Sequence, residues 1–146
     1  MKTIITIWNT AGKGKSSTIL ELANLLINNS PNHKIIFCNK NVKHLTIDFR
    51  LIIEINGKKI ALESQGDPGT ELEKRLNEIV TSYHPVIIFC TSRTRGETVY
   101  AIENISNTFD FDTIWTSTYQ ATRNHQIANK AKAEHLMNLL SKFGLI

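Results

Sequence analysis

The stretch that most constrains this chain is residues 2–26, "KTIITIWNTAGKGKSSTILELANLL". Its first part, "KTIITIW", is largely β-branched with little alternation, which suits a strand buried on both faces of a parallel sheet. Its continuation, "SSTILELANLLINN", puts Ile19, Leu22, Leu25 and Leu26 at i, i+3, i+6 and i+7. That is one apolar face of a helix, ending near Asn28 and Asn29 ahead of Pro31. Between strand and helix, residues 9–16 fit the phosphate-loop pattern G-x-x-x-x-G-K-[ST] at Gly14, Lys15 and Ser16, with Asn9 where the first glycine belongs. Such a loop wraps backbone N–H groups around phosphate oxygens, and the helix start adds free donors and a positive dipole end. Asn9, Thr10, Ala11, Gly12, Lys13, Gly14, Lys15, Ser16 and Ser17 form the expected cradle. Lys15 is expected on the β and γ phosphates and the Ser16 hydroxyl on Mg²⁺. Asn9 is expected to replace glycine because asparagine visits positive φ more often than most residues.

Further along, "KIIFC" reads as a second strand. "DFRLIIEI" and "KKIALES" flank Asn56-Gly57, the strongest local hairpin signal, which predicts an antiparallel pair. "GDPG" makes a turn, and "TELEKRLNEIVTSY" predicts a helix with Thr70 as N-cap and Glu73 completing a capping box. "PVIIFCT" and "DTIWTST" are two more strands, and "GETVYAIENISN" and "NHQIANKAKAEHLMNLLSKFG" two more helices, the last ending at Gly144. Alternation of this kind predicts an α/β three-layer sandwich around a mainly parallel sheet with one antiparallel hairpin strand. Ligands in such sheets sit outside the carboxyl ends of the strands, which makes the residues after each strand the candidates.

At 146 residues the chain suffices for one sizeable core, a single domain spanning 1–146. Its longest apolar runs, "VIIFC" and "RLIIEI", fall far short of the roughly 18 residues of a membrane helix. "IITIW" after Lys2 is shorter than the about 7–15 apolar residues of a secretory signal, so a cytoplasmic protein with no membrane partner is expected. The two cysteines each close an "IIFC" run, lack C-x-x-C spacing, and read as reduced core residues. The five histidines show no ligand spacing, so no zinc site is expected. The net charge of +4 is spread along the chain; it permits contact with nucleic acid without indicating it.

The run "NTAGKGKSSTILELANLL" resembles the P-loop NTPases, and within them the ParA/MinD-type ATPases, whose loop reads roughly K-G-G-x-G-K-[ST]-[ST] before an L-A-x-x-L helix. Gly12, Gly14, Lys15, Ser16 and Ser17 match, as do Leu22, Ala23 and Leu26. Thr10 replaces the extra signature lysine and Ala11 a glycine, so the dimerisation chemistry tied to that lysine does not carry over. The resemblance implies Mg²⁺-ATP as the ligand. A phosphate loop also needs a carboxylate to hold the metal's water shell. The hairpin resembles that of small GTPases, which sets Glu63-Ser64-Gln65-Gly66 in the place of D-x-x-G, with Glu63 for the aspartate and Gly66 donating to a γ-phosphate. Against the ParA/MinD type, Asp67-Pro68 takes the loop after the metal-binding strand. Glu63 is the first choice of carboxylate and Asp67 the second, and Gln65 lies where many NTPases orient the attacking water.

GTPases read guanine through N-K-x-D, and the matching stretch "CTSRTRGET" has no such aspartate, so GTP is not expected. Arg93 and Arg95 instead put two permanent cations at the ligand edge, for a base, a second phosphate or an arginine finger. In "TSTYQATRNHQ", where many P-loop proteins contact the base, Tyr119 is placed to stack and Asn124 to bond adenine. Asp110 and Asp112 precede the last strand and belong to the opposite edge of the sheet. Three functions stay open: an ATPase switch acting through a protein partner or a second copy, a nucleotide-type kinase with Arg93 and Arg95 as lid arginines, and a degenerate nucleotide- or nucleic-acid-binding module. The minimal "TSRTRG" lid ranks the ATPase first, with Lys15, Glu63, Gln65 and Arg93 as catalytic residues.

Overall fold

In the computed structural model, which describes residues 2–144, the buried strand β1 (Thr3–Trp8) runs into the glycine-rich loop and α1 (Lys15–Asn29). Then follow β2 (Lys34–Cys38), the hairpin β3 (Arg50–Ile55) and β4 (Lys58–Glu63), α2 (Leu72–Tyr83), β5 (Ile87–Ser92), α3 (Glu97–Phe109), β6 (Asp112–Ser117) and α4 (His125–Lys142). The strands form one sheet in the order β2-β3-β4-β5-β1-β6. β3 is antiparallel to both its neighbours, and the other pairings are parallel. Asn56 and Gly57 both take positive φ in the hairpin turn, as the Asn-Gly signal requires.

Alternation along the strands builds two cores. Ile5, Ile7, Leu62 and Phe89 face Leu22 and Leu26 of α1 and Leu136 and Leu140 of α4. Ile4, Ala61, Ile88 and Cys90 face the other way, onto Leu76 and Ile79 of α2 and Ala101 and Ile102 of α3. Helices on both sides of the sheet give the three layers expected of the element order.

β2 is an edge strand, not a buried one, with Ile35 and Ile36 exposed and a register shift between Ile35 and Phe37. A short strand flanked by lysines and broken by a bulge is how native sheets blunt an open edge. The capping box at Thr70 is not formed: α2 starts at Leu72 behind Glu71, which is left-handed and makes no side-chain cap. Arg75 explains the difference. It reaches back to the Thr70 carbonyl and hydroxyl at 2.8 Å each, while Thr70 donates to the Asp67 carbonyl and Glu73 accepts from Asn104.

In register, Trp8 lies opposite Ser92 and Ser117, and Glu63 opposite Cys90, so β1, β4, β5 and β6 end along one edge. Ser64 ties that edge together. Its carbonyl accepts from Ser16 and from Thr91, each at 3.0 Å, and its buried hydroxyl accepts from the Phe49 amide at 2.8 Å. Ser64→Ala leaves that amide unpaired in the interior, a cost of about 1–3 kcal/mol. Urea denaturation is expected to show the unfolding free energy falling by that amount, through a lower midpoint at unchanged slope; an unmoved midpoint would show that the bond contributes nothing.

Candidate functional site

The loop between β1 and α1 is shaped by Gly12 and Gly14, at φ +72° and +82°. Gly14 is the N-cap of α1, and no side chain caps this helix end, so its first amides stay open to a ligand. Space at Gly14 is short as well, because a Cβ there would come 2.7 Å from Asn129 Oδ1 on α4.

Asn9 does not supply a positive φ. Its amide donates to Thr118 Oγ1 at 2.9 Å, its Oδ1 accepts from the Thr10 backbone at 2.8 Å, and its own N–H donates to the Ser92 carbonyl. The side chain therefore holds the loop entrance by one hydrogen bond to Thr118, just past β6, and one to Thr10, rather than by conformational freedom. Thr10, Ala11, Gly12 and Lys13 are exposed along the loop.

Lys15 is buried, and its amine donates to the carbonyls of Asn9 at 2.8 Å and Thr10 at 3.0 Å. Burial and the nearby Arg93 guanidinium hold its pKa below the ordinary lysine range, opposed by Asp67. Lys15, Ser16, Ser17 and the three residues before them line a cavity of about 220 Å³, and Asp67 is its acidic lining residue. A second cavity, of about 440 Å³, shares Gly12, Lys13, Gly14 and Ser17 with the first and continues to Tyr119, Gln120, His125 and Asn129.

Glu63 is not brought to that face. It alternates with Leu62, so it points with Ala61 into the α2–α3 side, where it meets Arg50 Nε at 2.7 Å and Arg75 Nη1 at 3.5 Å. Burial pushes its carboxyl up against the pull of Arg50 and then Arg75. Its carboxylate is occupied by two guanidiniums, and Asp67 is the acid beside Ser16. Gln65 is half-buried, its carbonyl accepting from Arg75, and Gly66 packs so closely on Thr91 that any Cβ would overlap the Thr91 carbonyl.

Arg93 is at the end of β5, its Nη2 3.3 Å from Asp67 Oδ1, whereas Arg95 is exposed. Residues 93–96 make a short connection to α3, without an insertion that would form a lid. Tyr119 lines the second cavity but is fastened to α4, its hydroxyl 2.6 Å from His135 Nδ1 and its ring under Lys132 Nζ at 4.7 Å. Asn124 begins α4, exposed and outside the cavity lining. Gln120, His125 and Asn129 take the place expected for Asn124, and Gln120 Nε2 donates to the Lys13 carbonyl at 2.6 Å. A signal for Asn129 exists in the sequence: it lies one turn before Ala133 on the stripe that α4 buries with Leu136 and Leu140.

Cys90 is fully buried, with its thiol pushed up to about 12 by burial, which makes it a core residue and no nucleophile. Cys38 is free and half-buried. Among the described residues no cluster of three or more His, Cys, Asp or Glu could hold a metal, and no helix is long and apolar enough to cross a membrane. The chain matches no protein-family model, no curated protein and no solved structure.

The Asn9 bonds can be tested directly. If a positive φ were needed, Asn9→Gly would be neutral or stabilising; with the bonds to Thr118 and Thr10 lost, both Asn9→Gly and Asn9→Ala are expected to cost about 0.5–1.5 kcal/mol in chemical denaturation. Stabilisation by glycine alone would overturn the hydrogen-bond role.

Proposed function

We propose that this chain is a small P-loop NTPase that binds Mg²⁺-ATP on residues 9–17 and hydrolyses it as a switch acting on a protein partner or on a second copy. The observation that carries this is the junction of the two cavities at Gly12–Ser17, where a cavity lined by Lys13, Lys15 and the start of α1 adjoins a larger pocket at the β6–α4 loop. The uncapped start of α1 and the left-handed Gly12 and Gly14 support the same assignment.

The donors present suit magnesium. A serine hydroxyl and one carboxylate, Ser16 and Asp67, are hard oxygen ligands, and Mg²⁺ is commonly bound by one or two such groups together with substrate phosphates. The ion, when bound, neutralises charge on the β and γ oxygens. Lys15 leaves the Asn9 and Thr10 carbonyls for those oxygens, so the bonds it makes in the free protein keep it placed without fixing it. Gln65 orients the attacking water, whose oxygen bonds to the γ-phosphorus as the bond to the β–γ bridging oxygen breaks. ADP, phosphate and a proton leave. Arg93 supplies positive charge as negative charge moves toward the leaving oxygen. Glu63 keeps a supporting role, bracing Arg50 and Arg75 under the loop. The nucleoside occupies the second pocket, beside Tyr119, Gln120 and Asn129. The short Arg93–Gly96 connection favours a switch over a kinase with a closing lid.

A ligand present at a hundredfold excess over its Kd stabilises the folded state by about 2.7 kcal/mol. Mg²⁺-ATP is therefore expected to raise the melting temperature of the wild type by roughly 9 °C, and Lys15→Ala to lose that shift while remaining folded. Equal shifts in the two proteins would sink the phosphate-loop assignment. ADP formation only on addition of a nucleoside monophosphate would transfer the function to the kinase class.

A further inference from the structure

Asp67 and Arg93 are anchored by their backbones and joined to each other only by their side chains. The Asp67 carbonyl accepts from Thr70 at 2.6 Å, and the Arg93 amide donates to Thr98 Oγ1 at 3.0 Å. Between the side chains there is a single contact, 3.3 Å from Nη2 to Oδ1, with the Asp67 side chain 58% and the Arg93 side chain 33% exposed. Pairs this exposed contribute little, so the contact is easily exchanged. Arg93 Nε is buried and has no hydrogen-bond partner among the described residues, which leaves one prong of its fork unused. Both groups act on Lys15, Arg93 repelling its charge and Asp67 attracting it, and Asp67 lines the phosphate cavity itself.

Asp67 therefore faces two ways. A carboxylate in a cavity meant for phosphates repels them, and the same carboxylate occupies the arginine that would otherwise help to hold them. Only a cation arriving with the phosphates converts it into an attractive partner.

Resting on the nucleotide site above, we propose that Asp67 gates Arg93: in the free protein the two neutralise each other, and when a divalent cation comes in with the nucleotide, Asp67 turns to the cation's water shell and releases Arg93 to the terminal phosphate. The metal requirement is thus built into an arginine, not only into charge screening. This makes Asp67 a positioning residue as well as a metal-facing one, and predicts that it discriminates against metal-free nucleotide.

Calorimetric titration of ATP, with Mg²⁺ or with EDTA, into wild type, Asp67→Asn, Arg93→Ala and the double variant tests the exchange. Asp67→Asn is expected to bind metal-free ATP about three- to tenfold more tightly than wild type, a change of at most ~1.4 kcal/mol, and to lose most of the Mg²⁺ enhancement. Arg93→Ala is expected to give no gain in metal-free affinity, since Asp67 then stands unneutralised in the cavity, and to weaken Mg²⁺-ATP more than Mg²⁺-ADP. In the Asp67→Asn background, Arg93→Ala should cost metal-free affinity, because Arg93 is free there to hold the phosphates. If Arg93→Ala costs nothing in that background, the aspartate acts by plain repulsion and the exchange is refuted. If wild type binds ATP with a Mg²⁺ enhancement that Asp67→Asn retains in full, the gate alone fails and the nucleotide site stands. If wild type binds no nucleotide under either condition, site and gate fall together.

Discussion

The start of α1 is a helix end with no cap, and the rest of the candidate site is arranged around the amides this leaves open. Most helices satisfy their first N–H groups with a serine, threonine or aspartate side chain. Here the N-cap position is Gly14, left-handed at φ +82°, and no side chain among the described residues caps those amides. Ser16 and Thr18, which stand within the first turn and could cap from inside, instead donate to the Ser64 and Gly14 carbonyls. The fold spends its polar groups elsewhere and leaves an electropositive hollow at the sheet's carboxyl edge.

That hollow is balanced by charge on only one side of the sheet. Lys15 and Asp67 line it, with Arg93 paired to Asp67 at its rim, while Glu63, Arg50 and Arg75 form a separate network on the α2–α3 face. Successive residues of β4 and the loop after it thus serve different layers: Leu62 the α1–α4 core, Glu63 the arginine network, Ser64 the bond to Ser16. Division of labour at two-residue periodicity is what a strand imposes.

Much of this was legible in the sequence, for identifiable reasons. Local periodicity marks β1, α1, the Asn56-Gly57 hairpin and the later helices, because each signal is confined to a few neighbouring residues. The phosphate-loop pattern fixes Lys15 and Ser16 at a helix start for the same reason. What could not be read depends on partners far away in the chain. Asn9 bonds to Thr118, and Gly14 meets Asn129, across more than a hundred residues in each case. The alternation of Leu62 and Glu63 is visible, but which of the two faces the side of α1 depends on how the sheet is covered. Strand order is likewise a long-range property, so β2 read as interior although it lies at the edge. At Thr70 the capping signal lost to another local bond, because Arg75, in the first turn of α2, claims the Thr70 carbonyl and hydroxyl.

The central claim is that the amides at Gly12–Ser17 hold phosphates and the pocket beside them holds a nucleoside. Backbone amide shifts from ¹⁵N-labelled protein, titrated with Mg²⁺ and a non-hydrolysable ATP analogue, address it residue by residue. The largest perturbations are expected at Gly12, Gly14, Lys15 and Ser16, with smaller ones at Gln120 and Asn129, and inorganic triphosphate should reproduce the first group without the second. Saturable shifts confined to other parts of the molecule, with the Gly12–Ser16 amides unmoved, would contradict it.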